Sequence, residues 1–182
     1  MDIPLARTGD LCLIAQSLGS TPPGTLAFQE DLQAHFGGNL TNILHLTIQR
    51  FTPSVNLSSD SIWEKLCDAV RIYMPIRVSG TGLRVLYSDF RNCHILKVEA
   101  TADKDLVSMT NEVNEVIRTF GVAPHYTFSS NLITVLEDIE DRNMHSELTV
   151  GDPPEPLFTI DTLFFWRLIF PGRGEELKSV TF

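Results

Sequence analysis

Two short stretches carry the residues best suited to chemistry. His45-Leu46-Thr47-Ile48 and His125-Tyr126-Thr127-Phe128 each place an imidazole two residues ahead of a hydroxyl. In a strand such residues share one face, ~6.7 Å apart. An imidazole gives or takes a proton near neutral pH, and a hydroxyl donates a hydrogen bond, so each copy holds the parts for general acid–base chemistry. One copy arises readily by chance. Two copies 80 residues apart, each following a helix-like segment closed by Phe-Gly (Phe36-Gly37 and Phe120-Gly121), are harder to dismiss. The repetition implies two related lobes that face each other.

Strand alternation sets which neighbours accompany the pair. Leu44, Leu46 and Ile48 are expected in a core, with His45, Thr47 and Gln49 on the opposite face. Tyr126 and Phe128 are likewise expected to point away from His125, Thr127 and Ser129. The other histidines read as bystanders: His94 as a structural residue with Leu96 and Val98, His35 as a dipole partner late in a helix, and His145 as solvated in the polar stretch Glu137 to Glu147. Cys12, Cys67 and Cys93 lie in apolar segments without CxxC spacing and read as core residues of a reduced chain. No G-x-S-x-G elbow or phosphate-loop signature is present, and Gly80-Thr81-Gly82 and Gly172-Arg173-Gly174 read as turns.

These side chains need a scaffold, and its elements are legible in outline. A strand is expected over 11–15, a loop over 19–24, a helix over 25–36 and a strand over 43–51. Ser61 with Glu64 fits a capping box for a helix that ends before Pro75. A hairpin over 76–88 and 93–100, turning near 89–92, leads to a helix over 104–120 stopped by Gly121. A strand over 123–130, a polar helix over 132–144, and closing strands over 158–170 and 177–182 complete the chain. Hairpins mixed with helix–strand crossovers point to α+β, with no linker dividing residues 1–182.

Composition bounds the partners. The 182 residues are 43% hydrophobic, enough to bury a core, and 23 acidic against 14 basic side chains give a net charge of -9. That balance excludes a general nucleic-acid binder, which needs a cationic surface for several phosphates. The run Leu163 to Phe170 is too short for a membrane span, and the N-terminal residues lack signal-peptide character, so a cytoplasmic location is expected.

The two motifs resemble the paired HxT motifs of the two-histidine phosphoesterase superfamily, in particular the bacterial 2′-5′ RNA ligase-like, RNA 2′,3′-cyclic phosphodiesterase branch. Phe158-Thr159-Ile160-Asp161-Thr162-Leu163-Phe164-Phe165-Trp166-Arg167 resembles the strand that follows the second motif there, and Leu177 to Phe182 the terminal strand. The resemblance implies two pseudo-symmetric lobes of antiparallel-rich sheet with outer helices around a central cleft. It also implies hydrolysis of 2′,3′-cyclic phosphates on nucleotides or RNA ends. His45 and His125 would be the acid–base pair, in an order the sequence does not assign, and Thr47 and Thr127 the phosphate anchors. Gln49 and Ser129 would extend the site, and Tyr87 and Phe90 would offer platforms for an unpaired base. No metal and no cofactor are expected, since no His or carboxylate cluster has ligand spacing. The partner would be a nucleotide or RNA terminus, without an extended nucleic-acid surface or a membrane, acted on by a monomer. The alternatives are 2′-5′ linked or cyclic oligonucleotides, ADP-ribose cyclic phosphate, or a non-hydrolysing nucleotide-binding module.

Overall fold

A computed structural model describes residues 6–88, 92–125, 132–139, 152–170 and 173–182. Its strands form two antiparallel sheets. The first, ordered β3-β1-β8-β9, is built from β1 (Leu11–Gln16), β3 (His45–Phe51), β8 (Thr162–Phe170) and β9 (Arg173–Thr181). The second, ordered β2-β6-β5-β4-β7, is built from β2 (Asn39–Leu40), β4 (Ile76–Ser88), β5 (Cys93–Ala102), β6 (Leu132–Glu137) and β7 (Phe158–Ile160). Helices α1 (Pro23–Phe36), α2 (Ser59–Arg71) and α3 (Leu106–Thr119) complete an α+β, two-lobed architecture.

Each helix buries the face its spacing predicts. Ile62, Leu66 and Val70 of α2 and Met109, Val113 and Ile117 of α3 are buried, as are Phe28, Leu32 and Phe36 of α1. They join Leu11, Leu13 and Ala15 of β1 and Leu163 and Phe165 of β8 in one continuous core. Phe165 is its aromatic centre, stacked on Trp63 at 5.8 Å and on Phe51 at 6.2 Å. Phe165→Ala is expected to destabilise the chain by about 3–5 kcal/mol, read as a lowered urea midpoint, because a fully buried ring leaves a cavity its neighbours fill only in part.

Several elements differ from the sequence reading. The helix expected over 132–144 is strand β6 at 132–137, with residues 140–151 outside the described set. Its Ile-Thr-Val run is β-branched, and Ile133, Val135 and Leu136 are buried beside β5, which outweighs the polar residues that suggested a helix. The continuous strand expected over 158–170 breaks at Asp161. Residues before it join the second sheet, and residues after it join the first. Asp161 Oδ1 accepts from the Leu18 amide at 2.9 Å and the Thr162 hydroxyl at 2.8 Å, and its carbonyl accepts from the Phe182 amide at 2.9 Å. The cap of α2 is Ser58, whose hydroxyl accepts from the Ser61 amide, so Ser61 lies inside the helix. Asp105 caps α3 by accepting from the Ser108 amide and hydroxyl, which hold its carboxyl below the usual range. Gly80-Thr81-Gly82 lies within β4, where Thr81 is a bulge and no turn forms.

Gly38, after α1, has φ +82°, and a Cβ there would fall 2.5 Å from the Glu137 carbonyl oxygen, so only glycine fits between α1 and β2. Gly121, with φ +70°, ends α3 as expected.

Candidate active site

β3 carries the first motif, and its register with β1 decides what faces the site. His45 pairs with Gln16, Leu46 with Ala15 and Thr47 with Ile14. Leu44, Leu46 and Ile48 are buried in the core, leaving His45 and Thr47 half-buried on the other face, as alternation predicts. The pattern then shifts by one. Gln49 pairs with Leu13 and Arg50 with Cys12, so Ile48 has no opposite number and forms a β-bulge. Beyond a bulge the two faces exchange. Leu13 belongs to the main core, whereas Cys12 and Ile14 form a second apolar cluster with Phe164 and Leu168 on the far side of the sheet. Arg50 therefore shares the face of His45 and Thr47, and Gln49 does not.

Gln49, expected to extend the site, is fully buried. Its amide donates to Asn114 Oδ1 of α3 at 2.5 Å. Its Oε1 accepts from the Arg50 amide at 2.9 Å and the His125 amide at 3.1 Å. It braces the second histidine's backbone from behind.

His125 docks at the end of β3 distant from His45. Its amide also donates to the Arg50 carbonyl at 2.9 Å, five residues along the strand from His45, about 17 Å at the rise of an extended chain. The imidazole meets two protein groups: Arg50 Nε–H donates to Nδ1 at 3.3 Å, and Thr52 Oγ1 lies 3.4 Å from Nε2. Both converge on Asp10, fully buried just before β1. Thr52 donates to Asp10 Oδ1 at 2.7 Å, and Arg50 Nε stands 3.6 Å from Oδ2. The Arg7 amide donates to the same Oδ2 at 3.0 Å. Neither Asp10 nor Arg50 was singled out from sequence. The bulge that turns Arg50 toward the site leaves no mark in the residue pattern, and Asp10 precedes the strand it serves.

Burial pushes the His125 imidazole below its ordinary value, and the Arg50 and Arg7 guanidiniums add to this against the opposing Asp10 carboxylate. The folded chain thus binds a proton at His125 less readily than the unfolded chain does. This contribution to stability is present above the unfolded value of 6.5 and is lost as pH falls through the folded one. Replacing His125 with Gln is expected to flatten the loss of stability below about pH 6.5, measured by thermal unfolding across pH, relative to the native chain. Burial also pushes the Cys12 thiol on this face up to about 12, which removes it as a nucleophile near neutral pH.

His45 lies at the start of β3, its Nδ1 3.1 Å from the Ile43 carbonyl oxygen. Beside it opens a cavity of about 250 Å³, lined by residues 17–22, Asn42–Leu44, Gln16 and Phe158, none of them charged. Tyr87 is half exposed near the end of the β4–β5 hairpin, donating to Asn92 Oδ1 at 2.6 Å and lying edge-on to His94 at 5.0 Å. Thr127, Ser129, Phe90 and the strand expected after His125 lie outside the described residues, as does His145; residues 123–125 are not in a strand. Among the described residues no three His, Cys, Asp or Glu side chains group as metal ligands, and no helix is long and apolar enough to cross a membrane.

No protein-family model and no curated protein matches the sequence. Solved structures do. The chain is similar to E. coli LigT in its apo form, at 17% identity and TM-score 0.51, with 97% of this chain and 98% of that one covered. LigT complexed with 3′-AMP matches at 18% identity and TM-score 0.51, with the same coverage. A further crystal structure, of a phosphoesterase, matches at 17% identity and TM-score 0.53, covering 96% of this chain and 98% of that one. Over nearly its whole length, the chain has the two-lobed fold shared by LigT and this phosphoesterase.

Proposed function

We propose that the protein is a phosphodiesterase that opens 2′,3′-cyclic phosphates of nucleotides or RNA ends to monoesters without a metal ion. The observation that carries the reading is the placement of His45 and Thr47 together on one face of β3; His125 stands about 17 Å along that strand in this structure, and its part in the reaction rests on the resemblance of its motif. In this reaction water attacks phosphorus and one ribose oxygen departs from the opposite side. One imidazole takes the proton of the water as the new P–O bond forms, and the other, protonated, gives its proton to the leaving oxygen as the old bond breaks. The Thr47 hydroxyl, with that of Thr127, donates to the non-bridging oxygens and holds the phosphate in line. The uncharged cavity beside His45 suits the base and sugar of the substrate better than a second phosphate. Crystal structures of LigT with 3′-AMP and with phosphate, on the same fold, agree with a nucleotide monoester as product.

A panel of 2′,3′-cyclic nucleotides, 2′-5′ dinucleotides, cyclic oligonucleotides and ADP-ribose cyclic phosphate, followed by phosphorus NMR in excess chelator, tests the reading. Monoester formation from the cyclic mononucleotides is expected and should persist in EDTA. Calorimetric binding across the panel without turnover would replace the enzyme with a binding module. Loss of activity in EDTA restored by a divalent ion would overturn the metal-free mechanism.

A further inference from the structure

β1 ends in a glutamine whose side chain the fold encloses without using. Gln16 is 8% exposed, and by alternation it follows Cys12 and Ile14 onto the face that carries His45, its partner across the ladder. Its backbone carbonyl accepts from the Asp161 amide at 3.3 Å, but among the described residues its carboxamide has no hydrogen-bond partner. The neighbours on either side are turned to other groups, His45 Nδ1 to the Ile43 carbonyl and the Thr162 hydroxyl to Asp161 Oδ1. A buried amide left unpaired costs stability, so the space it lines, the cavity of about 250 Å³, is where its donor and acceptor are to be met. The rest of that cavity suits a flat, uncharged ring. Leu18 and Ile43, 64% and 48% exposed, form its rim, one from the loop 17–22 and one from the segment before β3. Both are anchored, Leu18 through its amide to Asp161 Oδ1 at 2.9 Å and Ile43 through its carbonyl to His45 Nδ1 at 3.1 Å.

We propose that Gln16 sets the base specificity of this site: its carboxamide pairs with the hydrogen-bonding edge of a nucleobase lodged in the cavity against Leu18 and Ile43, and the base preferred is adenine. The proposal rests on the phosphodiesterase reading above for the phosphate at His45, and adds what that phosphate is attached to. A carboxamide sets an N–H donor beside a carbonyl acceptor. Adenine carries the matching pair on both edges turned away from its sugar, N6–H with N1 and N6–H with N7, whereas guanine, cytosine and uracil match on one only. Antiparallel partners stand about 4.5–5.5 Å apart at Cα, so a base bonded to Gln16 and a phosphate at His45 fall within the span of one nucleotide.

Purine riboside, which is adenosine without its 6-amino group, tests the contact. In the native chain, kcat/KM for adenosine 2′,3′-cyclic phosphate is expected to exceed that for purine riboside 2′,3′-cyclic phosphate by about 10-fold, and Gln16→Leu should bring the two within about twofold. Gln16→Leu should also melt no lower than the native chain, since it removes an amide that the protein leaves unpaired, whereas replacing a structural glutamine would lower the melting temperature. Proton–nitrogen NMR of the nitrogen-15-labelled full chain gives a readout without turnover. Adenosine 3′-monophosphate should shift the Gln16 side-chain amide signal, identified by its absence from Gln16→Leu, and inorganic phosphate should not. An amide signal that adenosine 3′-monophosphate leaves unmoved overturns the proposal, as does a Gln16→Leu chain that keeps the native preference or melts well below the native one. If adenosine 3′-monophosphate moves the amide while no cyclic phosphate is turned over, the base site stands and the phosphodiesterase reading falls. If cyclic phosphates are opened with no preference among bases, that reading stands and the base site falls.

Discussion

Replacing either motif histidine with alanine is expected to lower turnover of a 2′,3′-cyclic nucleotide by about 10²–10⁴-fold, the usual contribution of one positioned acid or base. The double variant should be scarcely slower than the worse single, because the two rings serve one proton-transfer event and their losses do not multiply. The fold should survive. His45 is half-buried at the beginning of a strand, and its truncation opens no core cavity. His125 is likewise half-buried, and its backbone bonds to Arg50 and Gln49 do not depend on its ring. Circular dichroism and thermal melts would establish that a dead variant is folded. Native-like turnover by either single variant would remove its histidine from the mechanism.

Asp10→Ala should be the most damaging surface-independent change near the site, costing about 3–5 kcal/mol, or a fall in melting temperature of roughly 10 °C for a chain this size. Its carboxylate and the Arg50 side chain are 0% and 7% exposed. Deleting the acid removes the carboxylate beside a buried guanidinium and leaves the Thr52 hydroxyl and the Arg7 amide without their acceptor. The penalty belongs to the loss of charge balance in a buried place, not to an especially strong bond, and a second substitution separates the two. Asp10→Ala combined with Arg50→Leu removes both charges and should recover much of the loss. A double variant no more stable than Asp10→Ala alone would show that the cost lies elsewhere, in the packing of the segment before β1.

What was legible in the sequence was local. The His-x-Thr repeats, the apolar faces of α2 and α3 and the alternation through Leu44, Leu46 and Ile48 all follow from period and residue type. They hold because the nearest neighbours in space are also near in the chain. The hairpin of β4 and β5 follows for the same reason. Illegible were the features set by contact with distant segments. Ile48 looks like any strand residue until β1 lies beside it, and only then does it become the extra residue that moves Gln49 inward and Arg50 outward. Asp161 interrupts an apolar run by a single position, yet it separates strands belonging to different sheets. Leu132 to Glu137 has a composition that serves a strand or a helix, and pairing with β5 decides between them. Asp10 is one carboxylate among many in an acidic chain, and nothing near it announces a buried role. As for the net charge, the single-phosphate site proposed for this chain needs no cationic surface, and among the described residues Arg50, on the face of His45, is buried against an acid.

The bulge at Ile48 has a consequence for comparing this chain with its structural neighbours. At 17% identity, correspondence is usually traced by counting residues outward from a shared motif. In a strand without the extra residue, the side chain on the histidine's face would lie four positions beyond it, whereas in this chain it lies five beyond, at Arg50. Against a relative whose strand lacks that residue, an alignment that keeps columns intact would match Arg50 to a core residue and Gln49 to the functional one, and a one-residue gap at Ile48 would match positions by the side of the sheet they occupy.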